Sequence, residues 1–311
     1  MLYACVVSVL AFLLYERFFE LPKAEKPDSE KKAEEWRVGI SSPQTMDFCN
    51  ESVPLHEPEV RERFEKELYL NVYRHSETAL IIKRANRWFP VFEKVFKEKG
   101  IPDDFKYLAV IESNLENLKS YMGALGYWQI MPVTGKELGL EVSEQVDERL
   151  DPVRSTYAAC RYLQDAKNRL NNWTLVAASY NMGVAGVQQS LASQKANSYY
   201  DLHLNPETAR YVYRILALKE IMKNPKKYSF DIPQKELYSR QNTRFVSVNQ
   251  TVINLVDYAK QHGLSYKLLK YYNPWLKTYR LDVSSKKTYT IQIPVNLKDT
   301  LEANNPPASL P

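Results

Sequence analysis

A glutamate occupies a helix position where an apolar residue is expected. In the stretch DDFKYLAVIESNLENLKSYMGALGYWQIMP, residues 103–132, Phe105, Leu108, Ala109 and Glu112 follow at i, i+3, i+4 and i+7. That spacing sets all four on one helix stripe, the one that should face a core. A carboxyl held there loses water, which penalises its charged form and raises its pKa. It can then stay protonated near neutral pH and donate to a leaving-group oxygen. A glutamate in a buried ion pair, or one at a helix end turned to water, fits the same pattern, because ion-pair networks also perturb carboxylates. The helix alone leaves these readings open.

The residues downstream bear on the choice. The segment SYMGALGYWQIMP brings Ser120, Gln129, aromatic rings and two glycines back toward the helix end, and ASYNMG offers Tyr180 and Asn181 before another glycine. Amide and hydroxyl groups that fix orientation, beside apolar faces that cover rings, make a set suited to a sugar. Glycine usage points to the same region. The chain has nine glycines in 311 residues, and six of them (Gly123, Gly126, Gly135, Gly139, Gly183 and Gly186) fall between 123 and 186. Glycine marks sharp bends and close backbone approaches.

The elements that must position these residues are helical. Apolar residues recur at helical spacing from residue 58 onward, as with Val60, Phe64 and Leu68, then Val91, Val95 and Phe96. Gly100 and Pro102 punctuate the pattern, with Asp103 and Asp104 placed for the first turn of the next helix. Further helices are expected from about Pro152 to Leu170, Thr174 to Tyr180 and Pro206 to Met222. No alternating segment of useful length precedes residue 228, so the first domain is expected to be mainly α. After it, TRFVSV and KKTYTIQIP alternate like strands and flank two helical patterns, giving a small β-α-α-β unit.

The ends read differently. Residues 1–15, MLYACVVSVLAFLLY, carry no charge. They are shorter than the ~20 apolar residues of an ordinary spanning helix. This fits a signal-peptide core or a short membrane anchor, with an apolar first helix of a cytosolic protein as the remaining alternative. Residues 20–37 mix prolines and charges and read as a solvated tether. The resulting organisation is a signal peptide or anchor at 1–19 and a tether at 20–42. A helical domain with an N-terminal extension follows at 43–228, then a linker at 229–240, the β-α-α-β unit at 241–297 and a tail at 298–311.

Composition narrows the partners. A net charge of +5 is mild for this length, and no RNP, zinc-finger or basic-helix pattern is present. No nucleic acid is expected as partner. Cys5, Cys49 and Cys160 form no CxxC pair, so no metal is expected; Cys160 reads as core, and a Cys49–Cys160 disulfide is left open.

Five segments in order, IES, GALGYWQIMPVTGKELGL, RLDPVRSTYAACRYL, AASYNMG and PETARYVYRILALKEI, resemble the successive motifs of the lytic transglycosylases, specifically the membrane-bound murein D type. The resemblance spans about residues 54 to 225, and five ordered motifs are far more specific than one. It implies a lysozyme-like α fold, no cofactor, and cleavage of the β-1,4 bond between N-acetylmuramic acid and N-acetylglucosamine with formation of 1,6-anhydromuramoyl ends. Glu112 would be the lone catalytic acid and then base. Ser120 would hydrogen-bond the substrate, Gln129 would hold an N-acetyl sugar, and Met131 would line the cleft. Tyr180 and Asn181 match the YN pair beside the catalytic carboxyl, and Glu207 matches a glutamate on the following helix. Leu125, Tyr127 and Met182 depart from the commoner residues without removing a polar role. Glu116 reads as solvated and Asp151 as a helix N-cap, so neither rivals Glu112 as a second acid.

The C-terminal unit resembles a degenerate LysM module, with NQT in place of the usual GDT turn; a packing appendage without sugar affinity is its alternative. The resemblance implies an enzyme of the periplasm or cell envelope, membrane-anchored or secreted, whose partner is peptidoglycan glycan strands. A lysozyme-type hydrolase and a catalytically silent wall-binding scaffold are the alternatives.

Overall fold

The structure, a computed structural model, describes residues 40–295. The chain divides into two units at Ser41, and the second, from Ser42 onward, carries everything that follows. The expected signal or anchor (1–19), nearly all of the tether (20–42) and the tail (298–311) lie outside the described residues.

The unit opens with a hairpin that periodicity did not foreshadow, β1 (Met46–Phe48) and β2 (Glu51–Val53), paired antiparallel. Three residues per strand are too few for an alternating pattern to register. The turn is made by Cys49 and Asn50, both at positive φ (53° and 64°), the two-residue geometry that matches strand twist. The hairpin also organises the helices. Glu51 accepts from Trp173 N (2.6 Å) and Thr174 N (2.8 Å), and Cys49 N donates to Asp104 Oδ2 (2.7 Å). Cys49 and Cys160 are buried free thiols, so the disulfide left open from sequence is not formed.

Eight helices follow before the C-terminal unit: α1 (Pro58–Tyr73), α2 (His75–Lys99), α3 (Lys106–Ser113), α4 (Pro132–Glu137), α5 (Pro152–Leu170), α6 (Trp173–Met182), α7 (Val184–Gln194) and α8 (Pro206–Lys223). Their ends follow local chemistry. Asp151 caps α5 by accepting from Val153 N and Arg154 N, and Asn171 ends that helix in the left-handed region, φ 52°. Asp103 and Asp104 form a single 3-10 turn ahead of α3. α8 is the central helix, packed on α1, α3 and α6, and every residue from Tyr211 to Ile221 except Arg214 is buried. Phe64, Phe92, Phe96, Phe105, Leu108 and Trp128 fill the surrounding core.

Residues 229–240 lie along α2: Tyr238 N donates to Lys83 O (3.1 Å), and Asn86 and Arg87 donate to Tyr238 O and Ser239 O. The C-terminal unit is β3 (Thr243–Val248), α9 (Leu255–Gln261), α10 (Tyr266–Tyr272) and β4 (Tyr289–Pro294), with β3 and β4 antiparallel, Thr243 opposite Pro294. Its core of Leu255, Leu269, Trp275, Leu276, Leu281 and Ile291 takes in Val146 of the helical domain, which is 1% exposed, with Leu150 packed against it. The flanking backbone is bonded on both sides, Asp147 N to Trp275 O (2.9 Å) and Lys277 N to Gln145 O (2.8 Å). The two domains therefore share a core residue and a short piece of sheet-like pairing.

Candidate active site

Glu112 lies in the last turn of α3, on the expected stripe, with Leu108 and Ala109 fully buried beside it. The residue is half-buried, its carboxyl enclosed, and burial pushes its pKa up to about 7. Two groups on α8 oppose that rise. Tyr211 donates its hydroxyl to Glu112 Oε1, and the nearby Arg214 guanidinium favours the charged form; Glu207 adds a smaller upward push. Glu207, Tyr211 and Arg214 stand at i, i+4 and i+7, so one face of α8 presents all three to the end of α3. Arg214 also donates to Ile111 O (3.0 Å), tying the two helices together at the residue before Glu112.

After Glu112 the helix stops because Asn114 and Leu115 take left-handed geometry (φ 52° and 58°). The chain then forms a tight, multiply tied loop, residues 116–131. Ser113, the residue after Glu112, donates to Tyr127 O (2.8 Å), and Tyr180 OH donates to Trp128 O (2.8 Å). Trp128 Nε1 reaches Thr156 Oγ1 (2.9 Å) from the core. Arg149 Nη1 donates to both Gly123 O and Ile130 O, while Asp147 holds the guanidinium in a buried bidentate pair (2.9 and 2.8 Å). Gly126 has φ 85°, and a Cβ there would lie 2.1 Å from Arg149 O, so only glycine allows this approach.

Each expected site residue has a definite place in this arrangement. Ser120 Oγ accepts from Ala124 N (2.9 Å) at the turn of the loop, and its hydroxyl proton remains available. Gln129, at φ 45°, spends its amide hydrogens on Leu118 O and Gly126 O (3.0 and 2.8 Å), so it shapes the loop from within. Met131 is exposed just before α4. Tyr180 is enclosed close enough to Glu112 for that charge to raise its own pKa. Asn181 donates to Glu207 Oε1 (3.2 Å) and accepts from Thr208 Oγ1 (2.6 Å), joining α6 to the start of α8. Glu116 pairs with Arg84. Tyr180, the Asn181–Glu207 pair and the loop are thus bonded around or electrostatically coupled to Glu112. Tyr211 and Arg214 were not singled out from sequence, although both lie within the quoted α8 motif at the spacing that would have flagged them.

The profile of the transglycosylase SLT domain matches residues 90–203, and that of the soluble lytic transglycosylase C-terminal LysM-like domain matches residues 244–297. Residues 90–203 are thus similar to the transglycosylase SLT domain. The matched stretch contains α3, the loop and α6, while α8, with Tyr211, lies beyond it. Membrane-bound lytic murein transglycosylase D of Escherichia coli (strain K12) is 30% identical over 246 residues, 76% of this chain and 53% of that protein. A putative tributyltin chloride resistance protein of an Alteromonas species is 26% identical over 136 residues, 42% of this chain and 65% of that one. The chain thus spans about half the length of the first of these relatives. Among solved structures, an inactive mutant of lytic transglycosylase Slt from Pseudomonas aeruginosa matches 48% of this chain and 25% of its own at 21% identity, with a TM-score of 0.37.

A buried carboxyl poised between its two protonation states beside a phenol donor can give a proton and take one back. Among the described residues no group of three or more His, Cys, Asp or Glu could hold a metal ion.

Proposed function

We propose that the chain is a peptidoglycan lytic transglycosylase that cleaves the β-1,4 bond between N-acetylmuramic acid and N-acetylglucosamine and leaves 1,6-anhydromuramoyl ends. The observation that carries this reading is Glu112 in the SLT domain, enclosed, raised to about pKa 7 and bonded by Tyr211. Protonated Glu112 donates to the glycosidic oxygen as the bond to the anomeric carbon breaks. The resulting carboxylate takes the proton of the muramoyl 6-hydroxyl, whose oxygen closes onto that carbon. Glu112 ends protonated again, and water is not consumed.

One carboxyl suffices for this sequence, whereas ordinary glycosidases use two. Glu207 is exposed and bonded to Asn181, and Glu116 is paired with Arg84, so neither stands free beside Glu112. Ser120, Met131, Tyr180 and Asn181 would line and fix the sugar, and Gln129 would do so by holding the loop's shape. The murein partner and the cell-envelope location follow from this reading. Membrane attachment would rest on residues 1–19, since no helix among the described residues is long and apolar enough to cross a membrane.

Incubation with murein sacculi and mass spectrometry of the products tests the proposal. Anhydro ends are expected, and Glu112→Gln should lose about 10³-fold or more of the rate. Reducing ends alone would establish a hydrolase instead. Binding without cleavage by wild type would establish a scaffold.

A further inference from the structure

Behind the catalytic loop, a cavity of about 820 Å³ opens between α2, the segment 235–241 and α10. Its volume lies within the range of sites that enclose small ligands. Four cations line it, Arg87, Lys235, Arg240 and Lys270. Among the described residues none of the four has a carboxylate within ion-pair distance. The one acid on the wall, Glu236, faces Lys83 at 3.8 Å. Arg87 is bonded only to neutral oxygens, Ser239 O and Tyr271 OH (both 3.2 Å). Lys270 is half-buried with its pKa lowered by burial, no carboxylate offsetting it. Lys235 and Arg240 are exposed, and Arg240 feels the Asp151 carboxyl, but Arg87 and Lys270 are half-buried; enclosed charges are normally paired, so the inner part of this wall lacks its anion. The rings of Trp88, Tyr127, Tyr238 and Tyr271 provide apolar faces between the cations.

We infer that this cavity binds a short acidic peptide. Cations without an acidic partner select for carboxylates over neutral sugar hydroxyls, and aromatic walls suit the aliphatic parts of side chains between those carboxylates. The peptide fits the proposed substrate, since murein carries its carboxylates largely on peptides attached to the glycan, and the inference rests on that reading to this extent. Tyr127 connects the two sites: its ring lines the cavity and its carbonyl accepts from Ser113, the neighbour of Glu112. A single loop therefore separates a bound peptide from the catalytic carboxyl. The cavity takes walls from both domains, which gives the C-terminal unit a role in recognising the peptide.

Calorimetric titration of the full chain with a sugar-free murein stem tetrapeptide tests the site, with the same peptide amidated at its carboxylates and with neutral chitotetraose as comparisons. The free-carboxylate peptide should bind, and amidation should weaken it roughly tenfold or more. Lys270→Gln combined with Arg240→Gln should weaken the free peptide by a similar factor, with an unchanged melting temperature showing the variant folded. Equal affinity for free and amidated peptide, or no binding of the free peptide at millimolar concentration, overturns the inference. The product analysis of sacculi is independent: anhydro ends with no peptide binding sinks the cavity alone, and peptide binding with no cleavage leaves the cavity standing while the transglycosylase reading fails.

Discussion

Tyr211 on α8 donates its hydroxyl to Glu112 on α3, and this hydrogen bond opposes the effect of burial on the same carboxyl. Burial favours the protonated carboxyl; the phenol hydrogen bond favours the carboxylate. In the proposed reaction Glu112 first gives a proton and then takes one, which needs both states within reach near neutral pH, and the balance of burial and hydrogen bond would supply them.

Removing the phenol therefore has a signed consequence. In Tyr211→Phe the opposing hydrogen bond is gone, so the Glu112 pKa rises further above about 7. Because the proposed first step needs protonated Glu112, activity should fall as pH rises through that pKa. The alkaline limb of the pH–rate profile should move to higher pH in the variant. Its plateau rate should fall roughly 10- to 100-fold, the scale of one lost hydrogen bond to a charged group. An unmoved alkaline limb would show that Tyr211 does not tune Glu112.

The same burial makes Glu112 costly to the fold. Its folded pKa, about 7, lies above its ordinary 4.5. The carboxyl's contribution to stability is fully present below pH 4.5 and is lost as pH rises through 7. Glu112→Gln, which cannot ionise, should match wild type at low pH and exceed it at pH 8 by at most about 3 kcal/mol. Thermal melts of both proteins across that range check it. Equal pH dependence would mean that Glu112 is not desolvated.

Much of this was legible in the residues. The stripe Phe105, Leu108, Ala109, Glu112 placed the carboxyl correctly because helical period is a local property, and α5 ran from Pro152 to Leu170 as expected because Asp151 and Asn171 are local end signals. What escaped was set by few residues or by distant ones. The hairpin at 46–53 uses a Cys-Asn turn in place of the usual Asn-Gly, and its strands are too short to show a period. Val146 looks like any loop valine until the C-terminal core closes over it. The amide hydrogens of Gln129 go to loop carbonyls, a bonding set by the loop's own geometry that no sequence period shows.

The loop geometry makes a sharp contrast between two of its glycines. Both have positive φ, 88° at Gly123 and 85° at Gly126, but a Cβ meets nothing within 4 Å at Gly123 and lies 2.1 Å from Arg149 O at Gly126. Gly123→Ala should cost about 1 kcal/mol from backbone strain alone. Gly126→Ala must also push the loop off Arg149, displacing Ser120 and Gln129. Its turnover should fall by roughly 100-fold, with a larger drop in melting temperature than for Gly123→Ala. Parallel kinetics and melts of the two variants decide it; similar behaviour would remove the close approach as an explanation.

The last relationship runs from the C-terminal core to the loop 116–131 beside Glu112. Val146 sits in that core, Asp147 N bonds Trp275 O, Asp147 holds Arg149, and Arg149 holds Gly123 O and Ile130 O. If the C-terminal unit acted only as a tether to the wall, damage to this junction would leave turnover of a short soluble glycan unchanged. The bonded path argues otherwise. Asp147→Ala leaves Arg149 buried without its partner, a loss of about 3–5 kcal/mol, and frees the loop. Val146→Asp places a charge in the C-terminal core and should loosen the same path from the other end. Both variants should lower kcat on soluble glycan, and wild type should unfold in one cooperative transition spanning both domains. Two separate transitions in wild type, with normal soluble turnover in Val146→Asp, would show that the domains are coupled only through the chain.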